Sequence, residues 1–237
     1  MISQSTDPRF HTHRDEAAWI VAIAAHLADF LREALQRSAR ARILLSGGKT
    51  PEPVYRALAH ADLDWSHVDV ALVDERWLQP DDPDSNAHLI RNTLLRERAA
   101  AAHFEPLTRA GRTLAASVQL ANAHARCEPD IIVLGMGDDG HTASLFPRAR
   151  GLERALNADA DYVAIDATGC DGAGGWPMRI SLTPAGLSKA PRRLLLIRGE
   201  GKQRVLDRAL KSDDPGEFPV RVAFTTPGAS LQVHWCP

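Results

Sequence analysis

His141 follows Asp139 by two positions inside the run Leu134-Gly135-Met136-Gly137-Asp138-Asp139-Gly140-His141-Thr142-Ala143-Ser144-Leu145-Phe146-Pro147. Histidine has the unperturbed pKa nearest neutrality, which suits it to general acid–base work. A carboxylate two residues away can accept the proton of one ring nitrogen and so orient the other. A histidine taken at random is more often structural. Here three glycines, which let backbone approach a ligand closely, and the adjoining acid favour a catalytic loop. Two further clusters suit anions. Ser46-Gly47-Gly48 leads into Lys49-Thr50-Pro51, where free backbone N–H groups ahead of a helix fit a single phosphate. The plainer alternative is a turn made permissive by glycine. Arg76, after Asp74 and Glu75, is either a surface ion pair or a guanidinium gripping a phosphate or carboxylate. Trp77 beside it walls a pocket or simply packs.

Other motifs fail on inspection. Gly135-Met136-Gly137-Asp138-Asp139-Gly140 satisfies the dinucleotide-binding GxGxxG spacing, but its variable positions hold carboxylates where a pyrophosphate must approach. Pro147 also interrupts the helix such a site requires. Gly48-Lys49-Thr50 resembles the end of a P-loop, yet Ile43 stands where the first glycine belongs. No serine-nucleophile elbow occurs. His124 and Cys127 form only an i, i+3 pair, so no metal is assigned, and no cofactor is expected.

These residues must be carried by regular elements. Apolar residues at helical spacing (Trp19, Ile23, Leu27, Leu31, Leu35) predict a helix over residues 15–36. Strands are predicted at 42–45, 68–73, 130–133, 162–166, 178–182, 194–198, 220–224 and 231–235. Further helices are predicted from Thr50-Pro51 with Thr50 as cap, from Asp84 or Ser85 to about Arg98, at 111–126 and at 202–210. Strands alternating with helices predict a mainly parallel α/β sheet flanked by helices. Ligands bind such sheets beyond the carboxyl ends of the strands, where residues 46–48, 74–76 and 135–141 fall. Residues 1–14 are expected to be a flexible tail and residues 15–237 a single domain.

The bulk properties narrow the class. The chain has 237 residues and a formal charge of -2, which argues against a nucleic-acid partner. Three widely spaced cysteines (Cys127, Cys170, Cys236) give no disulfide framework. The longest apolar run near the start is too short and polar to span a membrane, and no basic segment precedes it as in a secretory leader. A cytoplasmic protein is expected, as a monomer or weak homodimer.

Taken together, Ser46-Gly47-Gly48-Lys49-Thr50-Pro51, Asp74-Glu75-Arg76-Trp77 with Asp84-Ser85-Asn86, the run from Leu134 to Pro147, Arg179-Ile180-Ser181-Leu182-Thr183 and Gly199 with Lys202 resemble the 6-phosphogluconolactonase family. Asp138 is an extra acid within its histidine block. Members continue past the last strand with an acid and a helix, whereas this sequence stops at Cys236-Pro237. The expected consequence concerns edge packing more than chemistry. The resemblance implies a modified Rossmann-like fold and hydrolysis of a phosphorylated sugar lactone, 6-phosphoglucono-1,5-lactone. Carried over by position, His141 is the general base and Asp139 its partner. Ser46, Gly47, Gly48, Arg76, Gly137, Arg179 and Lys202 would hold substrate. The nearest rival is a glucosamine-6-phosphate deaminase or isomerase. That chemistry needs an acid just after the histidine block, where Leu145 and Phe146 stand. A non-catalytic sugar-phosphate sensor would keep the basic residues but has no need of His141.

Overall fold

The computed structural model describes residues 8–125 and 127–237. Its strands, in chain order, are β1 (Arg9–Thr12), β2 (Ala41–Leu45), β3 (Val68–Leu72), β4 (Asp74–Arg76), β5 (His103–Glu105), β6 (Ile131–Leu134), β7 (Tyr162–Asp166), β8 (Met178–Leu182), β9 (Arg193–Arg198) and β10 (Leu231–Cys236). The helices are α1 (Glu16–Arg37), α2 (Glu52–Leu58), α3 (Asn86–Thr93), α4 (Leu114–His124), α5 (Leu152–Leu156), α6 (Pro184–Ser188), α7 (Gly199–Lys211) and α8 (Val222–Thr225). Seven strands form one parallel sheet in the order β1-β10-β9-β6-β2-β3-β5. The other three, β4-β8-β7, form a small antiparallel sheet.

The central strands are covered on both faces, and so read as continuous apolar runs: every residue of β2 and of β6 is buried. Helix α1 starts where the Asp15 carboxylate accepts the Ala18 N–H, and it buries Trp19, Ile23, Leu27 and Leu31. Each such fully buried side chain stabilises the fold by roughly 1.5–3 kcal/mol.

The topology locates the crevice. From β2 the chain crosses to β3 on one side, and from β6 it crosses to β9 on the other. The connections therefore diverge between β2 and β6, where parallel sheets bind ligands. The small sheet flanks that point and sets Arg76 of β4 directly opposite Arg179 of β8.

Four expectations are corrected. Residues 9–12 are not tail: β1 pairs with β10 over four register positions, and the His11 and His13 rings stack on His234. Residues 1–7 lie outside the described residues. Residues 220–224 are helical instead of a strand, because Pro219 opens a helical turn that runs into α8. A short buried apolar run fits either state. Ser85 caps α3, but the helix stops at Thr93, and Glu97 takes a positive φ of 49° incompatible with continuing to Arg98. Thr50 makes no capping bond, since α2 begins only after Pro51. Among the described residues, no helix is long and apolar enough to cross a membrane.

Candidate active site

Beyond β6 the chain turns back on itself: the Gly137 N–H donates to the His141 carbonyl at 2.8 Å, and Gly140 adopts φ +84°. This places the His141 ring on Asp139, with Nδ1 2.6 Å from Oδ1, and the same carboxylate oxygen also accepts the His141 backbone N–H at 3.0 Å. Because a carboxylate only accepts, Nδ1 carries the proton and Nε2 is left as the basic nitrogen. Burial raises the Asp139 carboxyl, but the His141 hydrogen bond, its charge and the backbone donors together hold it below the usual carboxylate range. Asp139 therefore stays ionised beneath the imidazole. Phe146 packs on the His141 ring at 4.3 Å between centroids and fixes its plane.

The rest of the histidine block is anchored by its small polar residues. Thr142 Oγ1 donates to the Gly135 carbonyl, and Ser144 Oγ donates to Asp74 Oδ2 at 2.5 Å. Leu145 and Phe146 are buried. Glu75 is fully buried and accepts three backbone N–H groups at 2.8 Å: Arg76 and Asn86 on Oε1, Ala87 on Oε2. It thereby fastens the start of α3 to β4. Burial pushes its pKa up to about 7, against the pull of those three donors.

Four cations line the same cavity of about 540 Å³: Lys49, Arg76, Arg179 and Lys202. Arg76 donates to the Asp84 carbonyl at 2.7 Å and to Asn86 Oδ1 at 3.1 Å. Lys202, on the first turn of α7, reaches the Met136 carbonyl at 2.6 Å and Asp138 at 3.1 Å. That Asp138 is almost wholly exposed, so the pair is weak and readily exchanged for a stronger anion. Arg179 is buried, and its Nε and Nη2 donate at 2.5 Å to the Trp176 and Ala173 carbonyls. Burial lowers its pKa. Asp74, the buried acid of the wall, is engaged by Ser144 and by Asn86 Nδ2. The cavity thus favours an anionic ligand.

All candidate residues converge here: Ser46, Gly47, Gly48, Arg76, Gly137, His141, Arg179 and Lys202 line the cavity, and Asp139 supports His141 from beneath. Ser46 Oγ is buried on this wall without a hydrogen-bond partner, which suits a ligand contact. Trp77 does not wall the cavity; it lines a separate shallow groove, and Trp176 takes the place instead. Asn86, marked in the sequence only as part of the Asp84-Ser85-Asn86 block, and Gly172, which the sequence did not single out, also lie on the wall. The signal for Trp176 and Gly172 lay in the glycine-rich run just ahead of Arg179.

Two other features are less suited to this chemistry. A larger groove of about 1280 Å³ runs past Leu152, Pro184 and Val222, but it gathers Glu153, Asp214 and Glu217, the wrong sign for a phosphate. Asp69, His103 and Glu105 cluster with metal-like spacing, but Arg40 forks Asp69 at 2.7 and 2.8 Å and Arg42 lies 2.6 Å from Glu105. Those carboxylates already have their counter-charges.

Comparison with known proteins identifies the family. Residues 14–235 match the family described as glucosamine-6-phosphate isomerases/6-phosphogluconolactonase. The 6-phosphogluconolactonase of Xylella fastidiosa (strain Temecula1) is 51% identical over 224 residues, covering 94% of this chain and 93% of that protein. That of Pseudomonas aeruginosa is 39% identical, covering 91% and 89%. A crystal structure of a 6-phosphogluconolactonase from Shewanella baltica superposes with a TM-score of 0.90 at 32% identity, covering all of both chains. The chain belongs to the glucosamine-6-phosphate isomerase/6-phosphogluconolactonase family and is an enzyme of its 6-phosphogluconolactonase branch.

Proposed function

We infer that this chain hydrolyses 6-phosphoglucono-1,5-lactone to 6-phosphogluconate, with His141 activating the attacking water. The observation that carries the reading is the 2.6 Å His141–Asp139 pair at one end of a cavity lined by four cations. A phosphate held by Lys49, Arg76 and Lys202 places the lactone carbonyl near His141, which converts a bimolecular encounter into a positioned one. Neutral His141 takes a proton at Nε2 from water as its oxygen attacks C1. Asp139, ionised and hydrogen-bonded at Nδ1, stabilises the imidazolium that forms. Backbone N–H groups of the 135–140 loop meet the developing oxyanion. When the tetrahedral intermediate collapses, the C1–O5 bond breaks and the imidazolium returns its proton to the departing ring oxygen. The product is the open-chain acid, and His141 is neutral again. A lactone is an activated ester, so these steps draw only on this chain's own groups.

The deaminase reading lacks its proton carrier. Leu145 is fully buried, and Phe146, 1% exposed, packs beneath His141, so neither position can move a proton. A sensor reading leaves the His141–Asp139 pair without a task. The site draws on residues from Ser46 to Lys202, in keeping with action as one domain. The free cysteines Cys127, Cys170 and Cys236 suit a reducing, cytoplasmic setting. The test is substrate comparison. The enzyme is expected to hydrolyse 6-phosphoglucono-1,5-lactone well above the spontaneous rate, glucono-1,5-lactone far less efficiently, and to release no ammonia from glucosamine 6-phosphate. Ammonia release, or equal efficiency on both lactones, would overturn the reading.

A further inference from the structure

The connection between β7 and β8 forms a wall of the cavity that the mechanism above does not use. Its main chain is held from beneath by Arg179, through the Ala173 and Trp176 carbonyls. At one end, Gly172 lies so close to the catalytic pair that a Cβ there would stand 2.5 Å from Asp139 Oδ2 and 3.0 Å from His141 Nδ1. At the other end stands Trp176, 41% exposed although it lines the cavity. Its indole Nε1 donates to Asp84 Oδ2 at 3.1 Å, and the Asp84 carbonyl accepts from Arg76 at 2.7 Å. One residue thus links the aromatic wall to a phosphate-side cation.

We propose that Trp176 recognises the closed six-membered ring of the substrate by stacking against its C–H face, and that Asp84 is the positioning residue that holds the indole for this task. The cavity supplies little other apolar surface. Phe146 is covered by His141, and Met136 is buried, whereas Trp176 keeps two-fifths of its area open. An exposed aromatic face on an otherwise polar, cationic wall is a ligand-facing feature, because leaving it in water gains nothing for folding. Tethering the indole in advance removes rotamer freedom that binding would otherwise have to remove. A flat lactone ring presents a continuous C–H face to the indole, and the open-chain product does not. The same wall therefore favours substrate over product and lets the product leave once the ring opens.

The proposal rests on the lactonase reading, and its test separates the two. Steady-state kinetics on the phosphorylated lactone are compared for wild type, Trp176→Ala, Trp176→Phe, Asp84→Ala and Asp84→Asn. Inhibition by inorganic phosphate and by 6-phosphogluconate is measured alongside. Trp176→Ala is expected to raise KM at least tenfold, by more than kcat falls. Its inhibition constant for phosphate should stay within twofold of wild type, and that for 6-phosphogluconate should rise less than KM. Trp176→Phe, which keeps an aromatic face, should retain most of the affinity. Asp84→Ala should raise KM several-fold, and Asp84→Asn, whose amide oxygen can still accept the indole N–H, should restore it. An unchanged KM in folded, active Trp176→Ala, or a loss confined to kcat, would overturn the proposal. An unchanged KM in Asp84→Ala would remove Asp84 from its role. Absence of lactone hydrolysis by the wild type would instead overturn the function, and this proposal with it.

Discussion

Gly137→Ala is the smallest change that should break the His141–Asp139 pair without touching either member. A Cβ at position 137 would lie 2.1 Å from His141 Nδ1, 2.3 Å from Cε1 and 2.5 Å from Asp139 Oδ1, whereas ordinary contact begins at 3.4 Å. The imidazole must therefore retreat by about 1.3 Å to admit the methyl group. Phe146 stands against the ring at 4.3 Å and Gly172 closes the Asp139 side, so there is little room to yield. A misplacement of about 1 Å in a positioned group can cost about 10²-fold in rate. Overpacking adds an expected stability cost of about 1–3 kcal/mol. The assay is initial-rate lactone hydrolysis, with release of 6-phosphogluconate followed continuously and the spontaneous rate subtracted. Thermal melting confirms that the variant is folded. kcat should fall about 10²-fold, while inhibition by inorganic phosphate stays within a few-fold, because Lys49, Arg76 and Lys202 are not displaced. A folded variant with kcat within threefold of wild type would refute the geometric argument.

Three further outcomes follow from the same structure. Lys202→Ala removes the cation above Met136 and should raise KM for the phosphorylated lactone about tenfold or more with a smaller effect on kcat; an unchanged KM would exclude Lys202 from the phosphate grip. Glu75→Ala leaves three buried backbone N–H groups without their acceptor, so stability should fall by about 1–3 kcal/mol in denaturant unfolding, and no change would contradict the buried three-donor arrangement. Because the folded pKa of Glu75 is raised from 4.5 to about 7, its proton-linked stability is full below pH 4.5 and is lost as pH rises through about 7. His234 has the opposite sign. Burial, then the neighbouring His11, His13 and His26, depress it from 6.5 to about 3, so its contribution is present above pH 6.5 and lost as pH falls toward 3. Unfolding of wild type and His234→Asn across that window should show a steeper acid loss in the wild type; parallel curves would contradict this.

Much of the site is legible in the sequence because it is written in contiguous blocks. The 134–147 run carries the histidine, its carboxylate partner, the glycine beside them and the anchoring hydroxyls on one loop, so spacing alone brings His141 to Asp139. The strands read clearly wherever apolar residues run continuously or alternate: β7 and β8 have the expected bounds, and the buried strands β2, β6 and β9 lie within a residue of theirs. What stays hidden depends on distant partners. β4 is Asp74-Glu75-Arg76, three residues that no propensity assigns to a strand; they pair because Asn86, Ala87 and Ser144 satisfy the carboxylates. β1 is a four-residue edge made regular by β10, more than two hundred positions away. Trp176 is separated from Asp84 by 92 positions, so its place on the cavity wall cannot be read from local pattern.

The central claim is that Nε2 of His141 takes the proton from the attacking water. The most direct test is single-turnover hydrolysis of 6-phosphoglucono-1,5-lactone by His141→Ala against wild type, with fold and phosphate affinity verified in both. General-base catalysis of this kind typically contributes about 10²–10⁴-fold. The account predicts a loss in that range with phosphate binding retained. Near wild-type turnover by folded His141→Ala would contradict it.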